Sequence, residues 1–250
     1  MKGWLAIVGL GPGSENLITP QVSKSLAEAT DIVGYISYVN RLPQREGVMY
    51  HPSGNRVELD RARQALEMVA TGQRVVIVTS GDPGVFAMAS AVFEVIDDGP
   101  KIWCSFDIRV LPGVTAMLAA AARIGAPLGN DFCAINLSDN LKPWDLIEKR
   151  LRLALAADFV IACYNPQSKG RPDGFSKVLE VLNAECTGSR VLIFARAVFT
   201  VRESIRVVRL KDCLSEMVDM QTLIFIGAST SRVIKREGNC WVYTPRAVVL

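Results

Sequence analysis

The sequence is poor in what a metal site or a disulfide framework requires. It contains one histidine, His51, and six cysteines, Cys104, Cys133, Cys163, Cys186, Cys213 and Cys240, which stand far apart and form no C-x-x-C pair. No finger-like ligand spacing exists, so no metal site is expected. The cysteines read as small apolar core residues in a reducing cytoplasm. Long apolar runs are also missing. The longest stretch, Val110 to Ala122, is broken by Pro112 and Gly113, and it falls short of the ~20 residues that cross a bilayer. The start, Met1-Lys2-Gly3-Trp4, passes straight into an apolar strand without the features of a secretory leader. The expectation is a cytoplasmic protein with no membrane partner. An excess of one charge is lacking too. With 28 Lys and Arg against 25 Asp and Glu, the net charge is +3, and no basic stripe marks a nucleic-acid partner. No Ser/His/Asp or Cys/His constellation presents itself for nucleophilic catalysis.

What is present is a regular alternation over 250 residues, half of them hydrophobic. Leu5 to Val8 reads as a short buried strand, Pro20 to Ala29 as a helix and Ile32 to Ile36 as the next strand. Glu58 to Ala70 places Leu59, Ala62, Leu66 and Val69 on one helical face, closed by Gly72. Arg74 to Thr79 is β-branched and continuous, as a central parallel strand should be. Helices follow at Ala87–Ile96, Val114–Ile124 and Lys142–Leu155, the last with Pro143 in its first turn. Strands follow at Ile108–Leu111, Phe132–Leu137, Phe159–Cys163, Val191–Ala195 and Thr222–Ile226. The expected class is α/β, with two α/β domains, largely parallel sheets and a ligand cleft between them. The Pro112–Gly113 break sets the expected domains at 1–112 and 113–250.

Gly9, Gly11 and Gly13 follow the first strand, but a dinucleotide fingerprint would need glycine where Ser14 stands. The carboxylate expected after the second strand is replaced by Ser37, Tyr38 and Val39. Pro12 has no N–H to offer a phosphate. The loop therefore lets a ligand approach closely without cradling an anion; by itself it is equally a tight strand-to-helix turn. A second loop, Thr79-Ser80-Gly81-Asp82-Pro83-Gly84-Val85-Phe86, ends the central strand, where parallel sheets present ligands. Gly81 and Gly84 permit unusual backbone angles. Asp82 offers an acceptor to a ribose hydroxyl or an ammonium, and Phe86 a ring to an adenine. Alone, this too is an ordinary Asp-Pro-Gly turn. The theme recurs at Leu111 to Ala116 and again at Ala162 to Pro172.

Four segments carry a resemblance: Gly9-Leu10-Gly11-Pro12-Gly13, Ser80-Gly81-Asp82-Pro83, Pro112-Gly113-Val114-Thr115-Ala116 and Tyr164-Asn165-Pro166-Gln167-Ser168-Lys169-Gly170-Arg171-Pro172. In this order they resemble the signatures of the tetrapyrrole methylases, over about Leu5 to Ser231. The last segment and Val33 to Val39 are similar to the branch that methylates carbon 17 of precorrin-3B. The resemblance implies a class III methyltransferase fold that uses S-adenosylmethionine and releases S-adenosylhomocysteine. It implies donor contacts at Pro12, Ser80, Gly81, Asp82, Val85, Thr115, Ala116, Tyr164, Thr222 and Leu223, to which Phe86 is added from its position. It points also to Ala197, where Ala195-Arg196-Ala197-Val198-Phe199 departs from the Arg-Asn-Ala-x-Arg of relatives.

The implied reaction contracts the macrocycle to precorrin-4 in cobalamin biosynthesis, in a homodimer. Methyl transfer needs alignment more than covalent help, whereas ring contraction needs proton transfers. The candidates for those are Asp82, Tyr164 and His51, the last in a Tyr-His-Pro-Ser-Gly turn. The substrate's carboxylates suit cations. Arg41, Arg45, Arg56, Lys169 and Arg171 lie in polar segments, with Lys169 and Arg171 favoured because they share a loop with Tyr164. Three rivals stand beside this reading: a sibling enzyme acting on another ring carbon or on a cobalt-precorrin, a nicotinamide-dependent oxidoreductase, and a non-catalytic tetrapyrrole carrier.

Overall fold

A computed structural model describes residues 3–247. Met1, Lys2 and Val248 to Leu250, the outer ends of the two expected domains, lie outside the described residues. Two compact units divide the chain, Met1–Thr115 and Ala116–Leu250.

The first unit contains β1 (Trp4–Gly9), α1 (Pro20–Glu28), β2 (Asp31–Tyr35), α2 (Ile36–Val39), β3 (Met49–Ser53), α3 (Glu58–Ala70), β4 (Arg74–Thr79), α4 (Met88–Asp97) and β5 (Asp107–Leu111). Its strands form one sheet in the order β3-β2-β4-β1-β5, parallel throughout. Parallel strands are covered on both faces, which is why β1 and β4 are apolar at nearly every position. Alternate residues then go to opposite layers. Leu5, Ile7, Val75 and Ile77 pack with Ala62, Leu66 and Val69 of α3 and Val92 and Val95 of α4. Trp4, Ala6, Val8, Val76 and Val78 pack with Val22 of α1 and Val39 of α2. α1 starts where Pro20 sits at its first position and the Thr19 hydroxyl accepts from the Val22 amide. The helix α3 spans the residues that its spacing predicts.

The second unit contains α5 (Ala116–Ile124), β6 (Gly125–Ala126), β7 (Phe132–Asn136), α6 (Trp144–Ala156), β8 (Val160–Tyr164), α7 (Gly174–Glu185), β9 (Val191–Arg196), β10 (Ser204–Arg209), β11 (Thr222–Ile226), β12 (Arg232–Arg236) and β13 (Asn239–Tyr243). The main sheet runs β10-β9-β11-β8-β7. Here the expectation of a largely parallel sheet gives way. Only β7 and β8 pair in parallel, whereas β8–β11, β11–β9 and β9–β10 are antiparallel. The link 197–203 between β9 and β10 is too short for a crossover, so those strands must turn back. A strand buried on both faces has the same apolar pattern in either direction. One layer of this sheet packs Ile135, Ile161, Phe194 and Ile224 against Ile147 and Leu151 of α6 and Phe175, Val178 and Leu182 of α7. Phe175 meets Phe194 edge-on at 5.7 Å. A small sheet, β12-β13-β6, turns at Gly238 with φ +69°. Pro143 sits at the N-cap of α6, one place before its first turn.

The turn before β8 is held by Asp158, whose backbone is left-handed at φ +55°. Its carboxylate accepts from Arg190 (2.8 Å) and from the Ser229 amide and hydroxyl (2.7 and 2.6 Å). Partial burial pushes this carboxyl up, but the Ser229 and Arg190 hydrogen bonds outweigh it and hold it below the usual carboxylate range. A depressed carboxyl stabilises the fold fully above its unfolded pKa and ceases to do so as pH falls through its folded value. Asp158→Ala should therefore lower the urea midpoint at pH about 7. The gap from wild type should close as pH falls through and below the ordinary carboxylate range, read by urea titrations at descending pH.

Candidate functional site

In the first unit, three loops leave the carboxyl ends of β1, β4 and β5, adjacent strands of the sheet. Their backbones touch. A Cβ on Gly9 would lie 2.8 Å from the Gly113 Cα, and one on Gly113 would lie 2.7 Å from the Gly9 oxygen, while both would overlap the Gly81 oxygen. Only glycine permits such an approach. Gly11 and Gly81 complete the joint by exchanging amide-to-carbonyl hydrogen bonds at 3.2 and 2.9 Å, Gly11 and Gly81 being left-handed at φ +68° and +65°. The Ser80 hydroxyl lies 3.5 Å from the Gly11 oxygen. The structure thus brings the loops of Pro12, of Ser80, Gly81, Asp82, Val85 and Phe86, and of Thr115 onto one platform.

Two charged side chains fasten the platform. One Asp82 oxygen accepts from the Gly84 amide at 2.8 Å, and the other accepts from the Gly113 amide at 3.0 Å. Asp82 therefore shapes its own turn and ties the second loop to the third. The Arg41 guanidinium, beyond α2, donates to the carbonyls of Leu10 (3.0 Å), Gly11 (3.3 Å) and Gly13 (3.1 Å). Burial lowers its pKa, and Tyr38 and Glu15 work in the opposite sense. Phe86 holds a half-exposed ring on a left-handed backbone, φ +52°. A non-glycine residue there costs ~1–2 kcal/mol, and such strain gathers at functional loops.

In the second unit, β8 and β9 end, and β11 begins, at one edge of the sheet. That edge carries Tyr164, Ala197, Thr222 and Leu223. The Tyr164 hydroxyl accepts from the Met117 amide at 3.0 Å, in the first turn of α5, which Ala116 opens. Ala197 is left-handed at φ +46°, and its amide donates to the Gln221 carbonyl at 3.1 Å. The link after it is braced: the Glu203 carboxylate accepts from the Phe199 amide at 2.6 Å and from Arg123 at 3.1 Å, and Arg123 lies over the Phe199 ring. Thr222 and Leu223, adjacent on a strand, point to opposite faces. Thr222 donates its hydroxyl to Asp219 at 2.8 Å, so Leu223 is the one on the other face.

Other expected residues stand differently. His51 lies within β3, not in a turn. Its ring reaches back 2.8 Å to Asp31, the first residue of β2, away from the loops at the strands' carboxyl ends. Arg56 is exposed and left-handed, φ +66°, between β3 and α3. Lys169 is exposed on the loop after β8. Arg171 turns inward, donating to the Leu137 (3.2 Å) and Asn165 (3.3 Å) carbonyls, with Asp139 3.5 Å from its Nε. The Arg41 clamp and the Met117 amide were not among the expected donor-site contacts, since each bond has a backbone atom on one side, which residue type does not reveal. Among the described residues, no cluster of His, Cys, Asp and Glu could hold a metal ion.

Residues 5–213 match the family Tetrapyrrole (Corrin/Porphyrin) Methylases. The chain is 50% identical over 247 residues to a precorrin-3B C(17)-methyltransferase of Sinorhizobium sp., covering 98% of this chain and 97% of the relative. It is 35% identical to a probable cobalt-factor III C(17)-methyltransferase of Salmonella typhimurium, covering 98% of this chain and all of the relative (100%). The crystal structure of the methyltransferase CobJ superposes with a TM-score of 0.93 at 58% identity, covering 97% of this chain and 100% of the other.

The platform's geometry makes two substitutions informative. Gly113→Ala forces a methyl into two backbone carbonyls and should destabilise the first unit by about 1–3 kcal/mol or more. Asp82→Asn leaves one acceptor oxygen for two amides and should cost on the order of 1–3 kcal/mol. Guanidinium unfolding of each variant, compared with wild type, checks both.

Proposed function

The chain belongs to the tetrapyrrole (corrin/porphyrin) methylases, and from that premise we propose that it methylates carbon 17 of precorrin-3B with S-adenosylmethionine, contracting the ring to precorrin-4 on the route to cobalamin. The observation that carries the reading is the platform itself, in which three of the family's ordered signatures meet at Gly9, Gly81 and Gly113. The 50% identity to a precorrin-3B enzyme, against 35% to a cobalt-factor III enzyme, favours a metal-free substrate. We place the enzyme in the cytoplasm as a homodimer, as the family resemblance implies; no helix among the described residues is long and apolar enough to cross a membrane.

The residues present fit a sulfonium donor. Pro12 withholds the amide that a phosphate would want. The carboxylate at the loops, Asp82, is occupied by two amides, and Phe86 supplies an apolar face beside them. When bound, S-adenosylmethionine supplies an electrophilic methyl group and leaves as S-adenosylhomocysteine. Pro12, Ser80, Gly81, Asp82, Val85, Phe86, Thr115, Ala116, Tyr164, Ala197 and Leu223 would hold it, with Thr222 acting through Asp219. The nucleophile is the substrate's own electron-rich carbon, so the protein's task is alignment, worth ~7–11 kcal/mol.

Ring contraction asks for proton movement. Both Asp82 oxygens are engaged by the Gly84 and Gly113 amides, so Asp82 serves the loops and not the proton transfers. Tyr164 accepts from Met117, which polarises its O–H toward donation. We assign the acid role to Tyr164 and leave His51 outside the reaction. Lys169 would meet a substrate carboxylate, Arg56 another, and Arg171 would keep the Lys169 loop in place.

Incubation with precorrin-3B and methyl-labelled S-adenosylmethionine, followed by NMR of the product, tests the assignment. A labelled methyl on carbon 17 with a retained acetyl group is expected. Label on another carbon would make this a sibling enzyme. Pigment binding without transfer would make it a carrier, and NAD binding without S-adenosylmethionine binding would restore the oxidoreductase. Lys169→Ala should raise the substrate KM by about two- to fivefold, the worth of an exposed ion pair, and Arg171→Ala should raise it indirectly by releasing the Lys169 loop, in both cases with S-adenosylhomocysteine affinity unchanged. Steady-state kinetics and calorimetry read the two effects separately.

A further inference from the structure

The first loop poses a problem of its own. Gly9-Leu10-Gly11-Pro12-Gly13 has three glycines and a proline, so little in its own side chains fixes its path. Three of its carbonyls nevertheless point to one place. Such a convergence of negative dipole ends is unfavourable without a cation among them, and the cation is Arg41. No carboxylate pairs with Arg41 among the ion pairs of the described residues. Its charge is answered by carbonyl oxygens instead. The fork is therefore committed to the loop and is not held out for a ligand carboxylate.

We propose that Arg41 is the positioning residue of the methyl-donor loop: by gathering the Leu10, Gly11 and Gly13 carbonyls, it sets the backbone around Pro12 on which the donor rests. The inference rests on reading this loop as part of the donor site. Arg41 follows α2, and Tyr38 of that helix packs edge-on to Tyr35 at 5.3 Å. The same guanidinium thus links the donor loop to the segment after β2. A guanidinium reaches three acceptors through a rigid planar fork and remains charged at any working pH. A lysine presents one compact ammonium and reproduces the clamp poorly. Gly11, already hydrogen-bonded to Gly81, passes the constraint to the second loop.

The test is calorimetric binding of S-adenosylhomocysteine to the full chain carrying Arg41→Met or Arg41→Lys, beside melting temperature and steady-state kinetics. Arg41→Met should weaken binding by about tenfold or more, because charge-assisted hydrogen bonds are lost at the donor loop. Arg41→Lys should recover only part of it. Arg63→Ala removes an exposed charge from α3 and should leave binding unchanged. The discriminating measurement is the dissociation constant in a variant that melts within a few degrees of wild type. If Arg41→Met does not fold, Arg41→Lys supplies it. Unchanged S-adenosylhomocysteine affinity in a folded Arg41 variant overturns the proposal. A rise in substrate KM alone also overturns it and makes Arg41 a substrate contact. Asp82→Asn and Tyr164→Phe separate the two levels. If they weaken binding and Arg41 variants do not, only the Arg41 inference fails. If none of them weakens binding, the donor-site reading fails and takes the inference with it.

Discussion

The contact on which the first unit's site depends is the meeting of Gly9, Gly81 and Gly113. Each glycine ends or follows a different parallel strand, and a side-chain carbon on Gly9 or Gly113 would be driven into the other and into the Gly81 carbonyl. The parallel sheet determines why the contact is possible: β1 lies between β4 and β5, so their carboxyl ends emerge side by side. The glycines then remove the side chains that would keep the loops apart. What results is a surface of main chain, with little freedom to rearrange and few functional groups of its own.

Charge enters this surface as fastening. Asp82 meets amide hydrogens and Arg41 meets carbonyl oxygens, so each is answered by backbone dipoles of the opposite sense. Neither needs a salt-bridge partner, and a ligand at the loops would meet backbone whose strongest charges are already spent. The second unit follows a similar plan. Tyr164 is fixed by a helix-start amide, Ala197 is held in a left-handed turn, and Arg123 with Glu203 braces the link beyond it.

Much of this was legible in the sequence where the physics is local. The β-branched run Arg74 to Thr79 and the helical spacing of Glu58 to Ala70 correspond to β4 and α3 without displacement. The strand-end loops were legible because glycine frees the backbone and proline fixes it, and together they mark turns wherever they stand. Strand direction in the second unit was not, since Val191 to Ala195 and Thr222 to Ile226 are apolar on both faces in either orientation. β10 was not legible because arginines break the aliphatics of Ser204 to Arg209 without a regular alternation, and α7 because it opens on Gly174 after the polar loop, with Asp173 at its N-cap making no side-chain capping bond. The reading of His51 went astray on Pro52 and Gly54, which suggest a turn; β3 is an edge strand, where proline is tolerated. The Arg41 clamp had no sequence signal, because its acceptors are carbonyls that every residue possesses.

The chemistry explains why so sparse a site suffices. A sulfonium methyl is already a strong electrophile, and an electron-rich ring carbon is already a nucleophile, so neither has to be activated by a protein base. What the protein can contribute is the line along which they meet, and a backbone platform holds a line better than flexible side chains do. The proposed ring contraction would add proton transfers, and those would need a side chain. Under that proposal Tyr164 would serve, at the end of β8 with its oxygen held by a backbone amide. A tyrosine fixed by a backbone amide would exchange a proton without giving up its own place on the strand.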